Sequence, residues 1–213
     1  RDIGLGLLGF HELLQMNNLP FGSLGSKILN KEIFKTLREQ GEIATKEMAE
    51  KLGSPKMCED AKLIRRNVSL MMTAPNKSTS FICGNTTPGI EPNRSNSFVK
   101  VLAGIQTVVK NKYLEAHLEK VGKNTIEVWE EISNNLGSVQ SLDFLDDKTK
   151  AVFKTASEIS PKDIINLASD RQKYIDMAQS INLFNRPNYT IKDIYDIHMY
   201  AFNNDIKTLY YYY

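Results

Sequence analysis

The stretch SINLFNRPNYTIKDIYDIHMYAFNNDIKTLYYYY, residues 180–213, decides the fold class of this chain. It opens with a short apolar run, residues 180–184, and closes with an aromatic run that begins near Lys207. Between them, Thr190 and Asp193 have the spacing of a capping box and predict the start of a helix. A strand, a helix and a second strand form a βαβ unit, which implies parallel strands joined by a right-handed crossover.

Helical periodicity extends through most of the chain before this stretch. It predicts helices at about residues 10–15, 27–40, 45–52, 112–121, 125–134, 147–158 and 161–177. Residues 68–73 have the pattern of a buried strand, and residues 97–109 that of extended structure with a turn near Gly104. Strands separated by helices favour an α/β architecture, either a barrel or an open sheet. Because no internal repeat or linker is visible, a single domain over residues 1–213 is expected.

The composition argues against several classes of protein. Hydrophobic residues make up 41% of the 213 positions and charged residues 24%, as in ordinary globular proteins. The net charge of +2 gives no broad electrostatic basis for binding nucleic acid, and no apolar stretch approaches the roughly 18 residues that span a membrane. Cys58 and Cys83 form neither a disulfide framework nor a metal-ligand pattern, so no metal site is predicted and a cytoplasmic location is expected.

A glycine pattern near the start of the chain has two interpretations. Gly4, Gly6 and Gly9 match the G-x-G-x-x-G fingerprint of dinucleotide-binding folds. That fingerprint needs a strand before it and an acidic residue about twenty positions later. Only residues 1–3 precede it here, and residues 24–27 contain no acid. The alternative is a helix that packs closely against a neighbour through small residues.

Residues 44–53 are similar to the first helix and turn of a helix-turn-helix unit. A DNA-binding unit of this kind needs a basic recognition helix. From Glu42 to Arg66 the chain has six Lys or Arg residues against five Asp or Glu residues. The small excess of positive charge favours a solvated helical hairpin over DNA binding.

Residues 73–80, with the sequence TAPNKSTS, combine a predicted strand end with a turn rich in hydroxyl groups. In α/β proteins such a turn presents backbone N–H groups to an anion. If a helix starts near Thr79, its free N–H groups and its positive dipole end add to the attraction. The alternative is an ordinary Ser or Thr helix cap without a ligand. Spacing alone leaves both interpretations open.

Four consecutive tyrosines, Tyr210, Tyr211, Tyr212 and Tyr213, stand at the end of the sequence. Tyrosine packs as an aromatic residue with a polar tip, so the run is compatible with an ordinary core strand. Tyrosine can also lose an electron and a proton together, so a route for moving radicals is the second interpretation. The run alone does not decide between them.

Several stretches together resemble the large, catalytic subunit of class I ribonucleotide reductase. They keep the order and the approximate spacing of that family over essentially the whole chain, and they are residues 3–6, 65–67, 74–82, 89–92, 137–140, 179–182 and 207–211. The loop followed by Gly-Ile-Glu-Pro and the Lys-Thr-Leu-Tyr-Tyr motif are the most specific of these. The resemblance implies a ten-stranded α/β barrel, of which this chain corresponds to the C-terminal half.

The resemblance also implies roles for particular residues. The family segment that holds the substrate diphosphate corresponds here to Pro75, Asn76, Lys77, Ser78 and Thr79. Tyr210 and Tyr211 correspond to the tyrosine pair that passes a radical towards the catalytic cysteine. Neighbouring residues of a regular strand point to opposite faces, so both rings share one path only if the strand ends or deforms there. Tyr212 and Tyr213 are expected to be packing residues.

Other family features are missing from this sequence. It contains no Asn-x-Cys-x-Glu motif for the thiyl cysteine, and Cys58 and Cys83 do not lie at the positions of the redox cysteines. The regulatory N-terminal domain is also missing. The chain begins at Arg1 and stops within an aromatic run, as a piece of something longer would. We therefore expect the chain not to be active alone.

The same resemblance implies the partners of the chain. They are the N-terminal part of the large subunit, a metal-containing small subunit that supplies the radical, a ribonucleoside diphosphate substrate and a second large subunit in a homodimer. An external dithiol, thioredoxin or glutaredoxin, supplies the electrons, and this chain itself is expected to bind no cofactor, nucleic acid or membrane. Two alternatives stay open: a non-catalytic assembly or interaction fragment, and a dinucleotide-binding oxidoreductase built on Gly4, Gly6 and Gly9.

Overall fold

The computed structural model describes residues 2–84, 86–102 and 105–212, with their side chains except at 100–102, 105–107 and 210–212. The helices are α1 (Phe10–Met16), α2 (Leu24–Leu52), α3 (Lys56–Asp60), α4 (Lys77–Ile82), α5 (Lys112–Lys120), α6 (Ile126–Asn134), α7 (Asp147–Val152), α8 (Pro161–Gln172) and α9 (Ile191–Phe202). The strands are β1 (Ser97–Leu102), β2 (Ile105–Lys110), β3 (Asn182–Phe184) and β4 (Tyr210–Tyr212). None of these helices is long and apolar enough to cross a membrane.

The βαβ unit predicted from the sequence is confirmed. β3 and β4 pair in parallel, with Asn182 opposite Tyr210 and Phe184 opposite Tyr212. α9 connects them and begins with the predicted capping box, in which the Thr190 side chain accepts from the Asp193 N–H and the Asp193 carboxylate accepts from the Thr190 N–H. Tyr213 lies outside the described residues. The connection by a helix identifies the fold as α/β.

Two further extended segments lie beside this unit. Leu5 bridges Met71 in parallel, and Thr73 bridges Gln179 in parallel. The predicted strand at residues 68–73 is therefore extended and buried, but it forms isolated bridges instead of a regular strand. Its partner at residues 177–180 leads directly into β3. Within the described residues, these parallel segments form only part of the expected barrel.

α2 is one continuous helix of 29 residues, whereas the sequence predicted two shorter helices. The predicted ranges, about 27–40 and 45–52, left a gap that contains Gly41, and glycine inside a helix costs about 1 kcal/mol relative to alanine. In the structure Gly41 is buried, and a β-carbon added there would lie 3.6 Å from Leu5 and 3.8 Å from Leu70. The small residue therefore faces the N-terminal extended segment. The turn predicted at Gly53 is present, and α3 (Lys56–Asp60) follows it, but its five residues are too few for the recognition helix of a DNA-binding unit.

The helices α7 and α8 end earlier than the predicted limits of residues 158 and 177. After α7, the Thr155 N–H donates to the Glu158 carboxylate at 2.7 Å, which closes a turn. After α8, the Asp176 carboxylate accepts from the N–H groups of Leu70 at 2.8 Å and Met71 at 3.1 Å. These side chain–backbone bonds compete with helix formation, and local periodicity does not reveal them.

The predicted extended region at residues 97–109 is confirmed as an antiparallel hairpin of β1 and β2. Its turn near Gly104 lies outside the described residues. Two hydrophobic clusters fill the interior. The larger one includes Phe10, Phe34, Leu70 and Ile165 and packs α1, α2 and α8 against the extended segments. The second one joins α5, α6 and α7.

Candidate functional site

The hydroxyl-rich turn lies at the carboxyl end of a buried parallel segment, which is where α/β proteins commonly bind ligands. After Thr73, the chain turns through Pro75 into α4, which begins at Lys77. The residue before it, Asn76, has a left-handed backbone with φ 35° and ψ 33°, and its side chain makes no capping bond. A Ser or Thr cap, the alternative reading of this turn, is therefore wrong. The helix also begins before the predicted position near Thr79.

The first turn of α4 presents donors outwards. Within the described residues, the N–H groups of Lys77, Ser78 and Thr79 have no recorded acceptor, and the first helical bond runs from Ser80 N–H to Asn76 O at 3.0 Å. The side chains of Lys77, Ser78 and Thr79 are exposed. Ser80 is buried, and its hydroxyl donates to the Lys77 carbonyl at 2.6 Å. Free N–H groups, two hydroxyls and one ammonium are suited to an anion.

The Gly-Ile-Glu-Pro segment, residues 89–92, packs against this turn. Gly89 has φ +77°, and a β-carbon there would lie 3.0 Å from the Ala74 carbonyl oxygen, so glycine allows the two segments to approach. α1 holds the segment in place, because the Phe10 N–H donates to Gly89 O at 3.1 Å. The Glu12 carboxylate also accepts from the N–H and hydroxyl of Thr87 at 2.9 and 2.5 Å.

A cavity of about 460 Å³, here called the Glu91 cavity, opens beside the turn. Its apolar lining consists of Pro75, Phe81, Pro88, Pro92 and Phe98. Glu91 lines it and is only 8% exposed, and one of its carboxylate oxygens, Oε1, accepts from Asn182 Nδ2. Burial raises the pKa of Glu91, and the opposing effects of Asn182 and Arg94 are smaller. Glu91 and Asn182 lie in stretches that carry the family resemblance, but the resemblance implied no role for either residue.

A second cavity of about 430 Å³, here called the strand-end cavity, is also lined by Pro75. It is lined by residues 72–75, 178–180 and 208–209. The Thr73 hydroxyl is buried there and has no hydrogen-bond partner among the described residues. Ser78 and Thr79 line neither cavity. The structure therefore brings Pro75 to both cavities and Lys77 to one, and it leaves Ser78 and Thr79 facing outwards.

The backbone of Tyr210 and Tyr211 lies in β4, and their side chains are outside the described part of the structure. Side chains just before them tie the strand to its neighbour. Lys207 Nζ donates to the carbonyl of Asp176 at 2.8 Å and to that of Met177 at 3.3 Å. These bonds connect the start of the tyrosine segment to the segment that leads into β3.

The neighbouring segment is held in turn by Arg171, a residue that the sequence analysis missed. Arg171 is 1% exposed, and its guanidinium donates to Gln179 Oε1 at 2.6 Å and to Asn30 Oδ1 at 3.0 Å. It also lies over the Phe34 ring, 5.6 Å from the centroid. Burial lowers the pKa of Arg171 to about 9. The available signal was its helical spacing from the apolar residues Ile164, Leu167 and Ala168, which predicts a buried face.

The glycines of the G-x-G-x-x-G pattern serve packing. A β-carbon at Gly6 would overlap the Met72 carbonyl oxygen, and one at Gly4 would lie 2.8 Å from the Met72 Cβ. The expectation of close packing through small residues holds for Gly4 and Gly6, but the expected helix is wrong, because this segment is extended. Because both glycines face the Met72 segment, they do not form an open cradle for a dinucleotide.

Comparison of the sequence with known proteins finds similarity to ribonucleotide reductases. Residues 61–212 match the family model described as ribonucleotide reductase, barrel domain. The ribonucleoside-diphosphate reductase large subunit of Invertebrate iridescent virus 6 is 40% identical, over 99% of this chain and 22% of that protein. The large subunit of Caenorhabditis elegans is 33% identical, over 100% of this chain and 30% of that protein.

A solved structure agrees with these sequence relatives. The alpha subunit of the Actinobacillus ureae class Id ribonucleotide reductase superimposes with a TM-score of 0.92 and is 42% identical. The match covers 100% of this chain and 39% of that one. The chain therefore spans between about a fifth and two fifths of the length of these relatives.

Proposed function

The chain belongs to the ribonucleotide reductase barrel family, and we propose on that basis that it works as part of a ribonucleoside-diphosphate reductase large subunit. The observation that carries the proposal is the similarity to such large subunits over 99–100% of the chain. The reaction is the reduction of a ribonucleoside diphosphate to the 2′-deoxyribonucleoside diphosphate. A metal-containing small subunit supplies the radical and an external dithiol, thioredoxin or glutaredoxin, supplies the electrons.

In this proposal the turn at the start of α4 holds the substrate diphosphate. Its support is the set of outward N–H groups at Lys77, Ser78 and Thr79, together with the hydroxyls of the last two. Pro75 and the left-handed Asn76 fix the direction in which α4 leaves the extended segment. The positive end of the helix and the Lys77 ammonium favour an anion electrostatically, although the short helix makes the dipole effect small.

Tyr210 and Tyr211 are proposed to carry the radical within the assembled enzyme. The parallel pairing of β4 with β3, and the anchoring of Lys207 on the neighbouring segment, hold the backbone that carries both tyrosines. Pairing alone would direct their side chains to opposite faces. A shared radical path therefore requires a local change of the strand at this pair.

The remaining parts of the reaction require partners. The sequence has no Asn-x-Cys-x-Glu motif, so the cysteine that reacts with substrate must come from the rest of the large subunit. We also propose a small subunit, a homodimeric large subunit and a cytoplasmic location. The exposed apolar side chains Leu24, Ile82 and Ile191, each at least 74% exposed, are suited to burial against such partners.

The test is product formation in a reconstituted system. This chain is combined with a polypeptide covering the preceding part of the large subunit, the radical-bearing small subunit, a ribonucleoside diphosphate and a dithiol. We expect deoxynucleoside diphosphate only in the complete mixture, with each component omitted in turn as a control. A stable complex with an intact radical and no product would instead favour a non-catalytic assembly fragment.

A further inference from the structure

Side chains hold the three residues before β4 on the neighbouring segment. In the part of the chain that the structure describes, these three residues have no recorded backbone hydrogen bond. Lys207 Nζ donates to the carbonyls of Asp176 at 2.8 Å and Met177 at 3.3 Å. The Thr208 hydroxyl donates to the Gln179 carbonyl at 3.4 Å. Because only the first of these distances lies in the usual range for a hydrogen bond, Lys207 is the main anchor of this approach to the strand.

The acceptor end of the anchor is itself fixed. The Asp176 carboxylate accepts from the N–H groups of Leu70 at 2.8 Å and Met71 at 3.1 Å, and it forms an ion pair with Arg38 at 2.5 Å. Residue 176 is therefore bound both to the buried extended segment and to α2. Lys207 connects the start of the tyrosine segment to this fixed point.

The anchor lies close to the two proposed relay tyrosines. Within the described residues, β3 and β4 pair over three residues each, with Asn182 opposite Tyr210 and Leu183 opposite Tyr211. A short ladder has few hydrogen bonds to hold its register, and a shift by one residue turns every side chain to the opposite face. Contacts just outside the ladder therefore help to keep each tyrosine in place.

We propose that Lys207 is a positioning residue for radical transfer, because its ammonium keeps the backbone of Tyr210 and Tyr211 in place against β3. The proposal rests on the proposed function, in which these tyrosines carry the radical. Lysine suits this role, since its ammonium has three donors and no acceptor and can bond two carbonyls at once. Lys207 takes no part in the chemistry and acts only through the strand that it holds.

The exposure of Lys207 predicts a local effect. Water competes for an exposed ammonium, so its hydrogen bonds contribute little to the free energy of unfolding of the whole protein. They still decide how often a short strand opens, because local opening costs far less than global unfolding. A displacement of reacting groups by about 1 Å can lower a rate roughly a hundredfold. We therefore expect the loss of Lys207 to lower turnover much more than stability or substrate affinity.

The first experiment measures turnover and substrate affinity in the reconstituted enzyme, with both partners saturating. Lys207→Met removes the ammonium and keeps an apolar side chain. We expect kcat to fall at least tenfold, the dissociation constant of the ribonucleoside diphosphate to change less than twofold, and Lys207→Arg to recover most of the lost turnover. Lys192→Met, at an exposed lysine of α9 that pairs with Asp196, is the matched control and should keep wild-type turnover. Wild-type turnover in Lys207→Met, or a loss of substrate affinity as large as the loss of kcat, would overturn the proposal.

The second experiment measures hydrogen exchange at the backbone N–H groups of residues 210–212, in the complex of this chain with the preceding part of the large subunit. In Lys207→Met we expect exchange there to be at least tenfold faster and exchange in α9 to be unchanged, whereas Lys192→Met should exchange at residues 210–212 as the wild type does. Unchanged exchange in Lys207→Met would overturn the anchor, and faster exchange with wild-type turnover would overturn its role in radical transfer. If the wild-type complex formed no product, the proposed function would fall and that role with it, while the exchange rates would still decide whether Lys207 holds β4.

Discussion

His11 is fully buried and is neutral in the folded protein. Its Nδ1 accepts from the Asn93 N–H at 2.8 Å. Burial lowers the pKa of His11 to about 3, because the loss of hydration outweighs the Val152 backbone, which raises the pKa. The unfolded chain has the ordinary histidine pKa near 6.5. Between these two values the unfolded state binds more protons, so stability falls as the pH falls through this window.

The size of this effect can be measured. At pH 5 the loss from His11 should be about 2 kcal/mol of the free energy of unfolding, at roughly 1.4 kcal/mol per pH unit. Urea unfolding at pH 7 and pH 5 would show a smaller loss in His11→Asn, whose amide oxygen can still accept from Asn93. His117→Asn is the control at a less buried histidine. Identical pH dependence in wild type and His11→Asn would contradict the assignment.

Thr79 tests the proposed diphosphate turn. Thr79→Ala removes one donor to an anion, and a hydrogen bond to a charged group contributes about 1.5–3 kcal/mol. We expect the assembled enzyme to bind a ribonucleoside diphosphate at least tenfold more weakly. Thr36→Ala, at an exposed position of α2, should have no effect. Unchanged nucleotide affinity in Thr79→Ala would count against the turn as the diphosphate site.

Tyr211→Phe separates packing from radical transfer. Phenylalanine keeps the ring but has no phenolic proton and is much harder to oxidise. We expect the reconstituted enzyme to bind its substrate normally and to lose turnover. Tyr195→Phe, at a tyrosine that is 61% exposed on α9, should remain active. Turnover close to wild type in Tyr211→Phe would remove this residue from the proposed relay.

At the scale of elements, two glycines have opposite roles. Gly41→Ala should stabilise α2 by about 0.5–1 kcal/mol, because alanine is the better helix former and its β-carbon would make ordinary contacts at 3.6 and 3.8 Å. Gly6→Ala should destabilise the protein, because its β-carbon overlaps the Met72 carbonyl oxygen. Thermal unfolding of both variants distinguishes them. A loss of stability in Gly41→Ala would mean that Leu5 and Leu70 leave no room for the added β-carbon.

The Arg171 guanidinium connects α8 to the segment before β3 and to α2, because it donates to both Gln179 and Asn30. Arg171→Lys cannot reach Gln179 and Asn30 together, and it leaves a buried acceptor unpaired, which costs about 1–3 kcal/mol. Denaturant unfolding should show this loss. Lys31→Met is the comparison, because the Lys31–Asp170 ion pair is partly exposed and should contribute less than about 1 kcal/mol. Equal effects of the two changes would refute a structural role for the buried network.

How far the sequence predicts each element depends on where its hydrogen bonds are made. α9 has its start signal in Thr190 and Asp193, so its position and the βαβ unit follow from local pattern. α8 ends where Asp176 reaches Leu70, a residue distant in sequence, and no local signal reports that contact. The gap predicted between residues 40 and 45 is absent for a similar reason, because Gly41 packs inside α2 against Leu5 and Leu70, which are distant in sequence.

At the scale of the whole molecule, one part of the candidate site follows from consecutive residues, and the other part forms only when the chain folds. The turn at Pro75–Thr79 could be predicted because motif and chemistry lie in consecutive residues. The Glu91 cavity could not, because it joins Glu91 to Asn182 from β3, and only the folded chain brings them together. The buried position of Arg171 likewise depends on α2 and on the segment after α8.

The parallel pairing also affects how the protein can be handled. Among the described residues, β4 pairs with β3 alone, so one row of its backbone donors and acceptors has no strand beside it. An open strand edge recruits any other extended chain, including another copy of itself. Produced alone at high concentration, the chain should therefore aggregate, and co-expression with the preceding part of the large subunit should keep it in solution by covering that edge.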